Sequence, residues 1–455
     1  MSAAVHPYIS EYSELASLLP GQSLPWLQQL RLDALDAFSV KGFPSPREEE
    51  WRYTSVSAIE KKRFAPAVAL PRHAIDTGSL KSWQLNDAWS IVLLDGRFSA
   101  ELSVLDGLPD TVSVMSMADA LAKQPEKLQN YLGKAVSHAE HGFIAFNTAW
   151  FSDGVWIEVS AKQVLDKPIQ ILHFATQAET LATTRTVIVV EAQAEANVIE
   201  TFAGLDSVRE GGAVSLSGTG ASNAYLSAAV TEVFVAANAG LTLYKVQCES
   251  DKAFHFGGTY IKQAKDARLT HHNFAFGGLL ARTDIHTDLD QGSECELNGL
   301  YLGGKRQHID NHTRINHLKP NATSRELYKG VLDDRARGVF QGRVIVAEDA
   351  QKTDSQMNNR NLLLSADAEA DTKPQLEIYA DDVKCGHGVT VGQLDEKSVF
   401  YMQSRCVDED TARNMLTFAF ANEMVDKIKI KGLHDLVLAQ VLARFPQSGI
   451  NQDWL

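Results

Sequence analysis

Apolar residues near the start of the chain recur at helical spacing. After Pro25 they occupy these positions: Trp26, Leu27, Leu30, Leu35 and Phe38. Because Ser23 and Pro25 suit the beginning of a helix, this pattern predicts a helix here. Ser45 and Glu48 form an S-x-x-E capping box, which predicts a second helix start. Further on, the run SIVLLD at residues 90–95 predicts a buried strand followed by a turn.

From about Gly154 to Thr390 the pattern changes to short apolar runs separated by small polar turns, with no helix of ordinary length. The clearest runs are Thr186 to Val190, Val230 to Val235, Leu241 to Val246, Val344 to Val346 and Gln375 to Tyr379. Turn signals recur roughly every 28 residues, which is typical of a solenoid: Asn238-Ala239-Gly240, Asp266-Ala267, Gly292-Ser293, Asn321-Ala322 and Asp349-Ala350. The region therefore predicts a parallel β-helix whose coils bury their apolar faces by stacking, with a β-sandwich as the competing interpretation.

After Arg405 the pattern returns to helix. Asp408 can cap a segment with a wide apolar face: Met415, Leu416, Phe418, Phe420, Met424, Val425 and Ile428. Gly432 is expected to end this helix in the left-handed conformation, and a second helix is expected over Leu433 to Phe445, stopped by Pro446. The wide face indicates either burial on two sides or packing onto the helix's own domain alone.

These patterns predict a mainly β protein in three domains. We expect a mixed, mostly helical N-terminal domain over residues 1–150, a parallel β-helix core over residues 151–394 and a C-terminal helical domain over residues 395–455. A chain of 455 residues has ample material for a large core.

The charge balance narrows the classes of partner. With 57 acidic and 43 basic residues, the formal net charge is -14, which repels phosphate backbones and anionic lipid surfaces. No apolar stretch approaches the ~20 residues that cross a bilayer, and the first residues lack a basic start followed by an apolar run. We therefore expect a cytoplasmic protein that binds neither nucleic acid nor membrane.

The four cysteines are Cys248, Cys295, Cys385 and Cys406, and none belongs to a CxxC pair. This spacing argues against a disulfide framework and against a zinc ribbon. Any thiol function must rest on single residues that meet partners distant in sequence or on another chain. We expect Cys248 and Cys295 to be small buried apolar groups.

The segment around Cys385 and His387 carries the most chemistry. The two residues are two positions apart, so on an extended strand both side chains project from one face. A thiolate and an imidazole both suit iron or zinc, and the glycines at 386 and 388 allow another backbone to approach. On the pattern alone, a C-x-H signal is weak, and a buried thiol beside a hydrogen-bonded histidine is the favoured interpretation.

The remaining polar motifs favour structural roles. The run HIDNHTRINH places His308, His312 and His317 at spacings that suit no single strand face, so we expect a solvated or hydrogen-bonded β-helix surface. His271 and His272 are also expected to be structural. The segment GTGASN at residues 218–223 lacks the third glycine and the βαβ context of a dinucleotide loop, and no P-loop sequence is present.

Several long segments resemble the SufB/SufD family of iron-sulfur cluster assembly proteins. They are NATSRELYKGVLDDRARGVFQGRVIVAEDAQKTDSQMNNRNLLL, DTKPQLEIYADD and ADDVKCGHGVTVGQLDEKSVFYMQSR, with the weaker EEEWRYTSV near residue 50 and HGFIAFNTAWFSDGVWIEV near residue 145. The resemblance spans most of the chain. The Gly-His-Gly-Val-Thr-Val-Gly segment, the length and the absence of a cysteine cluster in the N-terminal third resemble the SufD branch.

The resemblance implies a right-handed β-helix flanked by helical domains. It implies a scaffold that pairs with SufB through the C-terminal coils and with the ATPase SufC through the terminal helices, and that binds no nucleotide itself. It also implies that His387 is a ligand of a transient iron-sulfur cluster shared with SufB, with Cys385 as a neighbouring interfacial thiol. Cys406 departs from the family pattern, and we assign it no role.

Two other functions remain as alternatives. One is a purely architectural subunit in which Cys385 and His387 are structural, because a lone cysteine and histidine cannot complete the four ligands that clusters use. The other is a β-helix carbohydrate-active enzyme, for which Asp284, Asp288 and Asp290 are the candidate carboxylates. A homodimer of the isolated chain is a further assembly that the sequence leaves open.

Overall fold

A computed structural model of the protein describes residues 7–67, 77–204 and 224–444. The helices before the β-helix are α1 (Pro7–Ser10), α2 (Tyr12–Ala16), α3 (Pro25–Lys41), a 3-10 turn (Glu49–Trp51), α4 (Ser57–Glu60), α5 (Thr77–Lys81), α6 (Met117–Lys123), α7 (Pro125–Gln129) and α8 (Gly142–Trp150). The helix predicted after Pro25 is confirmed as α3. The GTGASN motif at 218–223 lies outside the described residues.

The second predicted helix start is wrong. The Ser45 backbone N–H donates to Glu48 Oε1 at 2.8 Å, so half of the capping box forms, but only a 3-10 turn follows. The reason is tertiary. Trp51 lies under the Arg282 guanidinium, 3.6 Å from the ring centroid, and Thr54 Oγ1 donates to Asp310 Oδ2 at 2.6 Å. These contacts hold the segment against the β-helix in the 3-10 and turn conformation that it adopts.

Strands make up most of the remaining chain. In chain order they are β1 (Ala65–Pro66), β2 (Trp89–Leu94), β3 (Arg97–Phe98), β4 (Val112–Ser116), β5 (Val155–Val159), β6 (Ile169–Ala175), β7 (Thr180–Val190), β8 (Glu195–Gly204), β9 (Leu226–Val235), β10 (Gly240–Gln247), β11 (Phe254–Gln263), β12 (Arg268–Ala275), β13 (Leu280–Leu289), β14 (Glu294–Gly303), β15 (His308–His317), β16 (Thr323–Leu332), β17 (Arg337–Val346), β18 (Asp354–Leu363), β19 (Glu369–Ile378) and β20 (Lys384–Gly392). The predicted strand at 90–95 and the predicted strands of the β region are confirmed.

These strands form a parallel β-helix, as predicted. Sheet A runs in the order β19-β17-β15-β13-β11-β9-β7-β5-β4, with β1 joined to β7, and sheet B runs β20-β18-β16-β14-β12-β10-β8-β6-β2-β3. Each coil gives one strand to each sheet, and the pairs along both sheets are parallel from β5 and β2 onward. Antiparallel pairs occur where the sheets begin, between β2 and β3 and between β4 and β5. The two stacked parallel sheets exclude the β-sandwich.

The predicted turn rhythm has a backbone cause. Residues with positive φ recur between successive coils: Asn238 (59°), Asp266 (56°), Gly292 (67°), Asn321 (64°) and Lys352 (63°). Asn, Asp and Gly tolerate this conformation best, which is why they mark the turns in the sequence. The last turn lies three residues after the predicted Asp349, and a lysine occupies it.

Three helices follow the β-helix: α9 (Glu396–Gln403), α10 (Glu409–Val425) and α11 (Lys431–Leu442). The Asp408 cap is confirmed, since its carboxylate accepts from the Thr411 N–H at 2.9 Å. The prediction for Gly432 is wrong. Helix α10 ends at Val425 with ordinary helical φ at Asp426, and Gly432 lies inside α11. Phe445 and Pro446 lie outside the described residues.

The wide apolar face of α10 is used within the chain. Phe418, Met424 and Val425 are buried against the outer face of sheet B and against α11. The Lys329 ammonium on β16 donates to the Phe420 carbonyl at 2.9 Å, which ties the helix to the sheet. Within the described ranges, no helix is long and apolar enough to cross a membrane.

The N-terminal region covers the outer face of sheet A through buried ion pairs. Arg282 Nε donates to Asp284 at 2.9 Å and Arg282 Nη1 donates to Asp310 at 3.1 Å, while His141 contacts Asp284 at 3.2 Å. The carbonyl of Glu50 accepts from Arg282 at 2.8 Å. Because each buried charge has a partner of opposite charge, the region is fixed to the β-helix.

Candidate functional site

The last coil of the β-helix, β19 and β20, is less covered than the coils before it. We call this coil the open end. Strands β13 and β14 are almost entirely buried, whereas the residues of β19 and β20 are half-buried or exposed. Each strand is the last of its sheet, so no strand of the described chain pairs beyond it. Ile378, Val389 and Val391 leave about two fifths of their surface exposed here (41%, 37% and 45%).

Cys385 and His387 lie side by side on β20 and face the interior between the two sheets. Their ladder partners on β18 are Ser355 and Met357, which are 1% exposed. Since side chains of one ladder column point to the same side, the parity fixes the direction of both groups. Cys385 is half-buried against the core, and His387 is exposed at the open end. The structure thus brings the two predicted site residues onto one face.

The thiol of Cys385 is held in its protonated form by its surroundings. Burial raises its pKa, the nearby Ser355 backbone N–H partly offsets this, and the Asp354 carboxylate adds to the rise. Cys295 lies in the same column three strands earlier, fully inside, where burial raises the pKa of its thiol further. Cys385 therefore needs a metal or another positive charge to become a thiolate.

The glycines beside these residues serve the chain's own packing. A Cβ at Gly386 would lie 3.1 Å from Gln356 Oε1, and a Cβ at Gly388 would lie 2.9 Å from Asn358 Oδ1. Both amide side chains belong to β18 and fold over the glycines on the outer face. We predicted that the glycines admit another backbone, but in the fold they lie against this chain's own side chains.

The two strands of the open end differ in the hydrogen-bonding edge they present. The Lys384 N–H bonds to Thr353 at 2.8 Å, so the ladder alternation turns the N–H and C=O groups of Cys385 and His387 away from β18. On β19 the Tyr379 N–H bonds to Val346 at 2.9 Å, so the even-numbered residues face outward. Pro374 is one of them and has no N–H. The outer edge of β20 therefore has no missing N–H donor, whereas the outer edge of β19 lacks the donor at Pro374.

The donor set of the open end is incomplete for a metal ion. No group of three or more His, Cys, Asp or Glu side chains that could hold a metal occurs in the described part of the chain. Clusters of iron and sulfide are normally held by four protein ligands. Cys385 and His387 can supply two at most, so a cluster at the open end would need further ligands from outside the described residues.

The other candidates have structural roles. His308 and His312 lie on the outer face of β15 beneath the N-terminal region, where His308 contacts Thr54 at 2.9 Å, and His317 lies inside the β-helix against Ser324 at 2.9 Å. A hydrogen-bonded role is confirmed for His308 and His317, and a solvated surface is wrong because His312 and His317 are buried.

The remaining histidines, cysteines and carboxylates considered in the sequence can also be located in the structure. His271, His272, Cys248 and Cys295 are buried, as expected. Asp284 is buried and ion-paired, so it cannot join Asp288 and Asp290 in an exposed catalytic set, which removes the motive for a carbohydrate-active enzyme.

Sequence reasoning missed three features. Phe400 and Tyr401 on α9 are exposed by 70% and 57%. Cys406 is exposed with φ of 67° at the turn after α9, a position that favours glycine. Pro374 interrupts the outer edge of β19. Two of these features have a signal in the sequence. Pro374 directly precedes the predicted strand Gln375 to Tyr379, and proline in sheets is typical of strand starts, edges and bulges. Cys406 departs from the family pattern.

Comparison with known proteins decides the family. The model described as "SUF system FeS cluster assembly, SufBD core domain" matches residues 173–420, and the one described as "SufBD protein N-terminal region" matches residues 2–171. The chain belongs to the SufBD family. Its role therefore lies in iron-sulfur cluster assembly by the SUF system. The resemblance found in the sequence is confirmed.

Full-length relatives agree with this assignment. The chain is 32% identical to an iron-sulfur cluster assembly SufBD family protein of Synechocystis sp. over 410 residues, 89% of this chain and 88% of the relative. It is 32% identical to the iron-sulfur cluster assembly protein SufD of Escherichia coli over 411 residues, 89% of this chain and 90% of that one. The chloroplastic protein ABCI7 of Arabidopsis thaliana is 28% identical over 92% of this chain and 86% of its own length.

Proposed function

We propose that this chain is a non-catalytic scaffold subunit of the SufD type, which contributes one half of a cluster-building site shared with a SufB-type subunit. The observation that carries the proposal is the open end, where Cys385 and His387 face an uncovered interior beside a complete strand edge. Iron and sulfide are the cargo of this site, not resident groups. The division into domains at residues 150/151 and 394/395 and a cytoplasmic location belong to the proposal.

Strand addition to β20 explains how the half-site would be completed. A partner strand that pairs with the free edge lies about 4.8 Å away, and its inward side chains stand ~5 Å from Cys385 and His387. Ligands on that strand would meet both groups without any loop movement. The exposed apolar side chains Ile378, Val389 and Val391 would be buried by the same contact.

The two ligands are unequal in this proposal. An imidazole can bind iron as the neutral base, whereas Cys385 must first lose a proton that burial stabilises. His387 is also the more exposed of the two. We therefore assign His387 as the principal ligand and Cys385 as the supporting one.

The test measures iron and sulfide in the purified complex. We expect His387→Ala to leave the complex with SufB and SufC assembled but to lower its cluster content at least several-fold, and Cys385→Ser to lower it less. His138→Ala is the matched control, since this histidine lies in the N-terminal region, outside both the open end and the C-terminal helices. Wild-type cluster content in His387→Ala would favour the purely architectural role. Loss of the complex would mean that His387 holds the interface.

The ATPase SufC is assigned to the C-terminal helices, residues 408–445, and this chain is assigned no nucleotide. Deleting these helices would uncover sheet B, because α10 and α11 pack on it, so a point substitution is the sharper test. We expect Leu416→Asp on the half-buried side of α10 to abolish SufC binding in a pull-down. Phe400→Asp on α9 is the comparison. Loss with Phe400→Asp alone would move the contact to α9, and full binding by both variants would contradict the assignment.

The isolated chain offers its open end to a second copy, so a homodimer is the expected assembly without SufB. Sedimentation of the chain with and without SufB distinguishes the two. Exchange of the homodimer for a heterodimer on addition of SufB supports use of one surface. A homodimer that persists beside bound SufB places the two contacts on different surfaces.

A further inference from the structure

One ladder column inside sheet B leads from the middle of the β-helix to the open end. It contains Leu297 on β14, Glu326 on β16, Met357 on β18 and His387 on β20. Glu326 is 3% exposed, and neither of its carboxylate oxygens has a hydrogen-bond partner among the residues described. Buried polar groups are almost always hydrogen-bonded in folded proteins, so Glu326 requires a physical explanation.

The surroundings of Glu326 supply no compensating positive charge. Apart from Glu326 itself, the titratable groups on the inward faces of β14, β15 and β16 are uncharged at pH 7: Cys295, Tyr301, His317 and Tyr328. The inward faces of β17 and β18 carry no titratable side chain. An ionised carboxylate at this place would be a buried charge without a partner, which is strongly unfavourable.

Glu326 therefore keeps its proton at neutral pH. Burial raises its pKa to about 8, and the hydroxyl of Thr313 on the facing strand β15 offsets part of the rise. The same hydroxyl has no hydrogen bond of ordinary geometry. The two groups are close enough to interact electrostatically but are not joined directly.

Several other polar atoms near Glu326 also have no partner in the described chain, a pattern typical of sites that hold internal water. Asn273 Nδ2 donates to Asn311 Oδ1 at 2.8 Å, but the remaining amide atoms of this pair, Oδ1 of Asn273 and Nδ2 of Asn311, have no partner in the described chain. The hydroxyl groups of Thr313 and Tyr328 also have no hydrogen-bond partner in the described chain. A buried water typically satisfies two to four such atoms, and these groups follow one another along the inward faces of β12, β15 and β16.

We propose that Glu326 is an internal proton site that senses charge at the open end: it holds its proton while the open end carries no cation and releases the proton to bulk water when a cation sits beside His387. The site itself stands on the geometry of the β-helix interior. Its response to a metal rests on the proposed function, because His387 is the ligand that would hold the cation.

The distance permits this coupling without contact. Two strand spacings separate Glu326 from His387, ~10 Å, with the Met357 thioether between them. Across this distance a unit positive charge is expected to lower the pKa of a buried carboxyl group by about 1 unit, and a divalent cation by about 2 units. Near pH 7 a divalent cation would therefore release most of one proton.

The test follows the carbonyl stretch of the protonated carboxyl group by infrared difference spectroscopy on the full chain. We expect a carboxylic acid band at pH 7 that Glu326→Gln removes and that titrates near pH 8 in the wild type. Glu296→Gln is the matched control, because it removes one carboxylate from the outer face of the neighbouring strand β14 and should leave the band in place. Thr313→Val should move the titration to higher pH, and circular dichroism checks that each variant is folded.

Charge at the open end is varied with and without metal. His387→Lys supplies a fixed cation and should shift the band titration down by about 1 unit relative to His387→Gln. Zn²⁺, used as a redox-silent probe, should bleach the band and release most of one additional proton from the wild type relative to Glu326→Gln. If the wild type and Glu326→Gln have the same band intensity at pH 7, Glu326 is not a proton site.

The two proposals fail separately. Equal titrations in His387→Lys and His387→Gln overturn the coupling whether or not any metal binds. Zn²⁺ that binds through His387 and leaves the band unchanged overturns it as well. If Zn²⁺ does not bind the chain alone, two ligands are too few to hold it without a partner, and the His387→Lys result decides the coupling.

Discussion

The two ends of the β-helix are built differently. At the beginning, the sheets end in antiparallel pairs, β2 with β3 and β4 with β5, and α6 packs over β4. Ile91 and Ile157 in these strands are fully buried. At the other end, the parallel repeat continues to its last strand, and inward-facing Val389 and Val391 remain exposed.

This difference shows that the chain caps one end of its β-helix and leaves the other end uncapped in the described residues. A solenoid that has finished folding covers its terminal coil with a cap, because uncovered inward side chains cost burial energy and free strand edges invite pairing. The first end meets this requirement within the chain. The open end keeps the inward pattern of the repeat without a cap in the described residues, so its missing layer is expected from another protein.

The largest expected effect comes from placing the same charge in the core of the β-helix and at its open end. Val344→Asp places a carboxylate in the core of β17 and is expected to cost ~5 kcal/mol, or to prevent folding. Val389→Asp, on the last strand, is expected to cost less than ~1 kcal/mol in the isolated chain but to abolish SufB binding. Urea unfolding and a pull-down measure the two effects. Equal destabilisation by both variants would mean that the open end is as well covered as the middle.

The next largest effect is a dependence of the free energy of unfolding on pH, which is caused by Glu326 inside the β-helix. Because the folded pKa of Glu326 is raised to about 8, the folded state holds a proton that the unfolded state has lost, and stability falls as pH rises from about 4.5 to about 8. Glu326→Gln removes this loss and should be more stable than the wild type by ~3–5 kcal/mol above pH 8, with little difference below pH 4. Unfolding curves at pH 4, 6 and 9 check it. A gap that does not grow with pH would contradict a protonated Glu326.

A smaller effect of opposite sign concerns the covered face of sheet A. Burial alone would raise the pKa of Asp310, but His312 and Arg282 outweigh it and lower the value to about 2. The ionised carboxylate then stabilises the fold above about pH 4, and this is lost as pH falls through 2. Asp310→Asn should cost ~2 kcal/mol at pH 7 and almost nothing at pH 2. A cost that is equal at both pH values would assign the effect to packing.

The smallest effect tests the interrupted edge of β19. Pro374→Ala restores an outward N–H and should change the stability of the monomer by less than ~1 kcal/mol. It should, however, strengthen association of isolated chains, because both strands of the open end could then pair along their length. Sedimentation velocity over a concentration series measures this. Unchanged association would show that β20 alone determines pairing at the open end.

The β-helix could be predicted from the sequence because its repeat is local. Asn238, Asp266 and Asn321 mark turns by their own backbone preferences, and the strand between two turns follows from β propensity. The capping box at Ser45 misled us because its neighbours are bound by Arg282 and Asp310, more than 230 positions away. Sequence patterns carry no information about such distant contacts.

The same distinction applies to the candidate site. The shared face of Cys385 and His387 follows from strand parity alone and was predicted. Their position at an uncovered end depends on where the stack stops, which no local pattern states. The buried state of Glu326 depends on which strands face it across the interior, and it was not predicted.

The contacts of the N-terminal region also set an order of folding. Thr54 bonds to Asp310, 256 positions later, and Glu49 pairs with Lys373, 324 positions later. While the chain is still being synthesised, residues 49–54 leave the ribosome long before the strands that bind them exist. The stack of coils can grow from contacts between neighbours, but this early segment must wait until β15 and β19 have formed. Until β13 supplies Arg282, Trp51 can contact only its aromatic neighbours such as Phe143 and Phe256, so the newly made chain leaves part of this side chain uncovered.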